Sequence, residues 1–278
     1  MTKNIIRYVS VYLIVYLVEL ALTFALPFIT QGDSQSLLWL SRIVVLLPAL
    51  AMFVMLLCDR KFDVVALVTT LFTGLATPLL YFVRPNDYRK YAILLSIFPL
   101  LAMLFQWIPM LNRYWPSHIS LAVGITFNIL VVVILAMDAK RNEVSLSPWI
   151  YIIGIIFPSC AVLLYFAYTT LNSFKRYIVP TGIVAVLTLV LDVFLIVAPT
   201  TIPAEVSTIV KPILVVLLGV LVCIFMFCDK RLRGIPGRVW LCITGLFYPT
   251  LAYPAAVHCH LDTNTSGSVE EMPSEAVE

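Results

Sequence analysis

Three pairs of polar residues interrupt otherwise apolar stretches of this sequence, and they are its best candidates for chemistry. Each pair joins an acidic or amide side chain to a cationic or imidazole side chain 12 to 23 residues further along. The pairs are Glu19 with Arg42, Gln106 with His118, and Asp192 with Lys211. Ionisable groups inside a membrane segment are costly, so they mark ion paths, proton relays or solute sites. If antiparallel helices bring each pair to one depth, the six side chains form a polar path.

A structural role explains the same pairs. Interhelical polar contacts within a membrane are often worth only about 0.6–2 kcal/mol, which is enough to fix the register of two neighbouring helices. Arg42 and Lys211 also have side chains long enough to extend their charges to the lipid headgroups. The sequence alone leaves both interpretations open.

Other chemistry finds no support in the residue pattern. His258-Cys259-His260 matches no zinc-binding spacing and has no visible fourth ligand, so we expect no metal. The sequence has no glycine-rich phosphate loop, no H-E-x-x-H motif and no G-x-S-x-G motif, so we expect neither a cofactor nor an enzymatic activity. The net charge is +3 without a basic patch that interleaves aromatics, so we expect no nucleic-acid partner.

The elements that position the polar pairs are long apolar segments. The chain of 278 residues is 62% hydrophobic and 12% charged, whereas a soluble domain carries about a quarter charged residues. Runs of about 20 apolar residues match the thickness of a bilayer. The expected fold class is therefore all-α, a polytopic transmembrane helical bundle in a lipid bilayer. Its nine segments are 8–28, 37–58, 64–83, 91–111, 118–137, 149–170, 177–199, 207–228 and 239–257.

An internal repeat groups these segments into three tandem units of three segments each. Each unit opens with a basic residue followed by tyrosine, and the distance between successive openings is 83 and 86 residues. The second segment of each unit ends in an aspartate that precedes two basic residues. The openings are Arg7-Tyr8, Lys90-Tyr91 and Arg176-Tyr177, and the aspartates are Asp59, Asp138 and Asp229.

The third segment of each unit carries a glycine 15 or 16 residues after the aspartate, with a proline four residues beyond. Proline removes a backbone hydrogen bond and clashes with the preceding turn, so each third segment is expected to be kinked or re-entrant. The positions are Gly74 and Pro78, Gly154 and Pro158, and Gly245 and Pro249.

Basic residues leave two topologies open. With nine spanning segments, the two sides carry 11 and 5 Lys and Arg residues. With re-entrant third segments the split becomes 15 and 1, which follows the positive-inside tendency more closely. The length of the third segments favours a full span, and on that ground we expect nine spans, with re-entrant segments as the alternative.

We expect one integral membrane domain over 1–257, with repeats of about 5–88, 89–174 and 175–257. A tail over 258–278 has five acidic residues and no Lys or Arg, so we expect it to be disordered. The Asp-basic loop followed by Trp-x4-Gly-x3-Pro resembles hairpins of bacterial membrane proteins. That resemblance implies a bacterial cytoplasmic membrane, and the charge pattern implies a cytoplasmic N-terminus.

Two functions fit this architecture. Repeat symmetry, kinked helices and intramembrane charges favour a transporter or permease-like protein for a small solute or ion, with a polar path between repeats. The alternative is a non-catalytic membrane protein that binds partners or maintains the envelope, because the pattern shows no extramembrane domain.

Overall fold

A computed structural model describes residues 1–30, 34–59, 63–108, 111, 116–167, 175–197, 204–235 and 237–270. Within these ranges the chain is all-helical and forms no strand. The helices are α1 (Thr2–Ile29), α2 (Ser34–Val45), α3 (Leu47–Cys58), α4 (Val64–Thr73), α5 (Ala76–Val83), α6 (Tyr88–Trp107), α7 (Ser117–Arg141), α8 (Pro148–Ile156), α9 (Pro158–Phe166), α10 (Lys175–Val197), α11 (Ala204–Cys228), α12 (Arg238–Phe247) and α13 (Pro249–Glu270), with a 3₁₀ turn at Lys230–Leu232.

Among the described residues, four helical stretches are long and apolar enough to cross a membrane. They comprise Thr2–Leu26, Gln35–Cys58, Tyr88–Trp107 and His118–Arg141. The second of them is α2 followed directly by α3, with Pro48 in the first turn of α3, where its missing N–H costs nothing. These stretches are the first and second segments of the first two expected repeats.

One end of the bundle collects charged residues, and we call it the basic face. It contains the beginnings of α1 and α6 and the ends of α3 and α7. Arg7 in α1 forms a salt bridge of 2.8 Å with Asp59, directly after α3. Lys90 in α6 likewise pairs with Asp138 near the end of α7. Each pair joins two antiparallel helices at the same end of the molecule.

Each of the three expected third segments consists of two helices separated by a break, and all of these helices are short (8 to 10 residues) except α13, which has 22 residues. In the first, the break falls at Gly74, whose φ of 57° is in the left-handed region that favours glycine. In the second and third it falls at Phe157 and Tyr248, which have nearly the same backbone angles (φ −122°, ψ 68° and φ −130°, ψ 64°). Proline begins the next helix in both, at Pro158 and Pro249.

The two arms of each broken segment begin and end at the basic face. In the first, Tyr8 of α1 hydrogen bonds Asp59 just before the segment and packs its ring 4.8 Å from Phe82 at the segment's end. In the second, the Asn142 amide donates to the Tyr165 hydroxyl across the segment's two ends, at 2.8 Å.

The third broken segment follows the same course along α1. Gly237, just before α12, lies against Ile6 near the start of α1. Tyr248 at the break packs on Tyr16 with 4.8 Å between ring centres, and Tyr16 lies about 15 Å further along α1 than Ile6 at 1.5 Å per residue. Asp262 in α13 then accepts a hydrogen bond of 2.8 Å from the backbone amide of Thr2.

These contacts favour the re-entrant alternative over nine spans. Single arms such as α4 and α5 have 10 and 8 residues, so each reaches only about 12–15 Å, half of a hydrocarbon core of about 30 Å. Because the chain reverses at each break, a segment that looks long enough to cross returns instead to the face where it began. The expectation of nine spans rested on segment length, which does not distinguish a segment that reverses from one that crosses, and it is not confirmed.

The second arms of the broken segments form the centre of the bundle. Helices α5, α9 and α13 each contact the other two, which gives a triangular arrangement. Their facing side chains are buried and almost wholly apolar, such as Leu79, Leu80, Val162, Leu163 and Ala256. The described part of the chain therefore has a packed axis.

The core occupies the half of the bundle nearest the basic face. In α1 the buried run is Ile5 to Leu13, and in α6 it is Tyr88 to Ser96. In α7 the buried run lies toward the C-terminal end of the helix, from Val131 to Ala139, as expected for a helix antiparallel to α1 and α6. The other halves of these helices expose large apolar side chains, including Phe24 and Phe28. We call this half the distal half.

Helical order extends beyond the expected domain boundary at residue 257. Helix α13 continues to Glu270, and His258 and Cys259 are buried. The expected boundary at residue 257 lies inside this helix, whose start is held by apolar packing and by the contact of Asp262 with Thr2. The boundary itself stays a prediction. Residues 271–278 of the expected tail lie outside the described residues.

Candidate functional site

The structure gives Glu19 and Arg42 different neighbours from the expected ones. Glu19 is half-buried on α1, and among the ion pairs of the described residues none joins it to Arg42. The Arg42 guanidinium lies instead over the Trp39 ring, 5.2 Å from its centre. A cation over an indole face is stabilised without a carboxylate partner.

The other two expected pairs are less defined. Gln106 and His118 are both exposed, at the end of α6 and the start of α7, and no hydrogen bond joins them in the described part of the chain. Asp192 lies in α10 and Lys211 in α11, but their side chains fall outside what the structure describes. These pairs stay predictions.

Glu19 belongs to a cluster of tyrosines at the depth of a helix break. Tyr12, Tyr16 and Glu19 share one face of α1, since they are spaced at i, i+4 and i+7. The centre of the Tyr248 ring lies 5.2 Å from that of Tyr12 and 4.8 Å from that of Tyr16. The cluster therefore collects three phenol side chains beside the break after α12, on the face of α1 that carries Glu19.

A cavity of about 310 Å³ lies where the first two broken segments reach deepest. Three polar side chains line it: Thr73 before the first break, Ser159 after the second, and Asn128 of α7. The Asn128 amide donates to the Ile155 carbonyl at 2.7 Å, next to the break that begins at Phe157. Most of the wall is apolar and includes Phe72, Phe98 and Phe127. Apolar walls with a few fixed polar groups are typical of small-molecule sites.

Sequence reasoning missed the tyrosine–aspartate contacts at the basic face. The Tyr8 hydroxyl donates to Asp59 at 3.0 Å, and the Tyr91 hydroxyl donates to Asp138 at 2.6 Å. Both tyrosines are fully buried, and the neighbouring basic residue contacts the same carboxylate in each case. The signal was present, because the basic-Tyr pair and the aspartate recur together in both units.

The corresponding tyrosine of the third unit makes a different hydrogen bond. The Tyr177 hydroxyl donates at 3.0 Å to the carbonyl of Pro249, directly after the third break. Its ring stacks on Tyr253 of α13 at 3.7 Å. In each of the three expected units, however, the opening tyrosine packs on an aromatic residue of the second arm, since Tyr91 contacts Phe166 much as Tyr8 contacts Phe82.

Asp63 links the first broken segment to α6. Its carboxylate caps the first turn of α4 through the Val65 amide at 3.0 Å, and it accepts hydrogen bonds from Tyr88 and from Arg89. Partial burial raises the pKa of Asp63, but these donors together outweigh it and hold the pKa below its ordinary range. The group is therefore a carboxylate at neutral pH.

The His258-Cys259-His260 sequence does not converge on a metal-binding geometry. Within the described ranges no group of three His, Cys, Asp or Glu side chains is placed to hold a metal ion. The His258 imidazole instead contacts the Leu163 carbonyl at 2.8 Å, which fixes α13 against α9. This contact belongs to the central packing.

No family model, curated protein or solved structure matches this chain. The conclusions below therefore depend on the geometry of the molecule itself.

Proposed function

We propose that the chain is an integral protein of a bacterial cytoplasmic membrane, built from three repeats with a cytoplasmic N-terminus. In this arrangement six long helices span the bilayer, and three broken segments enter from the basic face and return to it. The 15-to-1 distribution of Lys and Arg supports a cytoplasmic basic face. The similar breaks at Phe157 and Tyr248 support a common origin of the units.

The proposed function is the passage of a small solute across this membrane. The observation that carries it is the cavity of about 310 Å³ at the tips of two broken segments. Non-helical backbone at membrane depth is tolerated where it is buried in protein or lines a cavity, and discontinuous helices with sites near the midplane are typical of transporters. Because side chains fill the central axis of the bundle, the proposed path of the solute runs between neighbouring repeats.

The lining of this cavity favours an uncharged solute with a small polar part. Thr73, Asn128 and Ser159 supply hydroxyl and amide groups, and none of the described residues that line the cavity is charged. A bare ion would exchange its hydration shell for too few oxygen ligands here. The Glu19 cluster lies at similar depth against the third broken segment, where it supplies a carboxyl group for coupling solute passage to proton movement.

An uptake screen of uncharged solutes in proteoliposomes tests this function. Ser159→Phe fills the cavity and should abolish uptake of any solute that the unaltered protein carries. Val133→Phe is the matched control, because Val133 is exposed on the same helix as Asn128 and should leave uptake unchanged. Glu19→Gln and Asp192→Asn test the coupling, and loss of the response to an imposed pH gradient is the expected result.

The proposal fails if the folded protein carries no solute in the screen, or if Ser159→Phe leaves uptake at the level of Val133→Phe. Either result would favour the alternative of a non-catalytic membrane protein that interacts with partners or maintains the envelope.

A further inference from the structure

A second cavity, of about 550 Å³, opens at the basic face between α6, α7 and α9. Its charged lining consists of three basic side chains and two carboxylates, which leaves a net charge of +1: Arg84, Lys90 and Arg141 against Asp87 and Asp138. The cavity lies at the opposite end of these arms from the site proposed for solute passage. The volume suits a ligand the size of a small phosphate ester.

The two arginines of this cavity are not committed to strong ion pairs. Lys90 is held by Asp138, which also accepts from Tyr91. Arg84 approaches Asp87 only to 3.8 Å, and both side chains are about half exposed, so that pair is weak. Arg141 takes part in none of the ion pairs of the described chain.

An uncharged hydrogen-bond donor, the Tyr165 hydroxyl, lies beside these charged side chains. The Tyr165 hydroxyl accepts the Asn142 amide at 2.8 Å, so its own hydrogen is left to donate. The residue is only 6% exposed, and its ring is fixed between Tyr91 and Phe166. Phe166 in turn lies under the Arg84 guanidinium, 5.9 Å from the ring centre. The donor and one cation are therefore held by packed aromatic rings.

We propose that this cavity binds a phosphate group. Guanidinium groups match phosphate oxygens in a two-point geometry, and a fixed hydroxyl supplies a further hydrogen bond. Arg141 and Arg84 would contribute the charge and Tyr165 the neutral donor. The two carboxylates do not oppose this assignment, since Lys90 neutralises Asp138 and Asp87 is exposed toward solvent.

Two sources offer the same phosphate chemistry. A basic face on the cytoplasmic side would meet anionic lipid headgroups. A soluble phosphate ester would reach the same opening from the cytoplasm. The ligand chemistry is shared, and the experiment distinguishes the sources.

The test measures binding to the full chain purified in a neutral detergent and stripped of lipid. Isothermal titration calorimetry with inorganic phosphate and with glycerol 3-phosphate examines the soluble source. Native mass spectrometry after addition of phosphatidylglycerol or phosphatidylcholine examines the lipid source. The variants are Arg141→Gln and Tyr165→Phe, with Arg233→Gln as the matched control because Arg233 is exposed in the loop after α11 and is not among the residues that line the cavity.

The expected result is saturable binding of one phosphate-bearing probe per chain. Arg141→Gln should weaken it about tenfold or more, as loss of a hydrogen bond to a charged group does. Tyr165→Phe, which keeps the ring and hence the packing, should weaken it several-fold, and Arg233→Gln should change nothing. Binding of the soluble probes identifies a phosphate ester, and binding of phosphatidylglycerol alone identifies a headgroup.

Three results would overturn the proposal: no saturable binding of any probe, unchanged binding in both cavity variants, or an equal loss in Arg233→Gln, which would indicate diffuse attraction. Circular dichroism and gel filtration establish that each variant is folded. Because the readout is binding, the result is independent of whether the protein carries a solute.

Discussion

Replacing Asp138 with alanine removes the acceptor that α6 uses to hold the end of α7. The Tyr91 hydroxyl donates to this carboxylate at 2.6 Å and is fully buried, so its loss leaves a buried donor without a partner. A hydrogen bond to a charged group is worth about 1.5–3 kcal/mol. The Lys90 side chain is 45% exposed, so its ion pair adds at most about 1 kcal/mol. We expect Asp138→Ala to lower the free energy of unfolding by about 2–3 kcal/mol.

A double-mutant cycle isolates the tyrosine–aspartate contact. Tyr91→Phe removes only the hydroxyl, and combining it with Asp138→Ala should recover a coupling energy of about 1–2 kcal/mol. Asp87→Ala is the control at the same face, because its partner Arg84 is 3.8 Å away and both are about half exposed. That change should cost less than about 0.5 kcal/mol.

The measurement is reversible unfolding in mixed micelles, followed by circular dichroism as the fraction of denaturing detergent rises. A coupling energy below about 0.5 kcal/mol would refute the reasoning, because buried contacting residues couple by more than that. An Asp87→Ala loss as large as that of Asp138→Ala would also refute it, since burial would then not set the cost.

Three further predictions follow from the fold. With native cysteines replaced, Lys3→Cys and Asn86→Cys should react with an impermeant maleimide from the same side of the membrane, whereas reaction from opposite sides would establish nine spans. Gly219→Ala should lower the free energy of unfolding by about 1–3 kcal/mol, because its new methyl group would meet the Leu246 backbone carbonyl. Gly234→Ala has open space around it and should leave the free energy of unfolding unchanged when both variants are compared by thermal unfolding. The folded pKa of Asp63 is lowered, so the stabilisation that this carboxylate provides is present above about pH 4 and is lost as the pH falls through the folded pKa. Asp63→Asn should therefore flatten the acid limb of a profile of unfolding free energy against pH. An unchanged acid limb would contradict this prediction.

The helical architecture could be predicted from the sequence because its signals are local. Runs such as 8–28 and 118–137 are long and apolar, and nothing but a helix satisfies their backbone in lipid. The glycines and prolines of the third segments mark the regions where the helices break, as at Pro158 and Pro249. A local rule about backbone geometry was sufficient there.

The direction of the chain after each break could not be predicted in the same way. Whether a break bends a helix or reverses it depends on ψ at one residue, such as Phe157, and on what packs against the second arm. The charge distribution favours the re-entrant alternative, since 15 and 1 is far more asymmetric than 11 and 5. Segment length favours nine spans, but two arms of eight to ten residues add up to the same apparent length as one span.

The sequence could not predict which residues the individual polar side chains contact. Glu19 was singled out because a carboxyl group in an apolar run is costly, and that remains the reason to examine it. Its tyrosine neighbour Tyr248 is more than 200 positions away, and only the folded chain brings it to α1. The same holds for Asp262, whose contact with Thr2 lies between the two ends of the described chain.

Because the core lies in one half of the bundle, the half nearest the basic face should be rigid and the distal half should be deformable. Side chains interlock near the basic face, so helix positions there are fixed against deformation. In the distal half the helices expose large apolar side chains, such as Phe24 and Phe28, which would face acyl chains in a bilayer. A change in bilayer thickness should therefore tilt the helices in the distal half and leave the half nearest the basic face unchanged. The width of the opening in the distal half would then depend on the thickness of the membrane in which the protein resides.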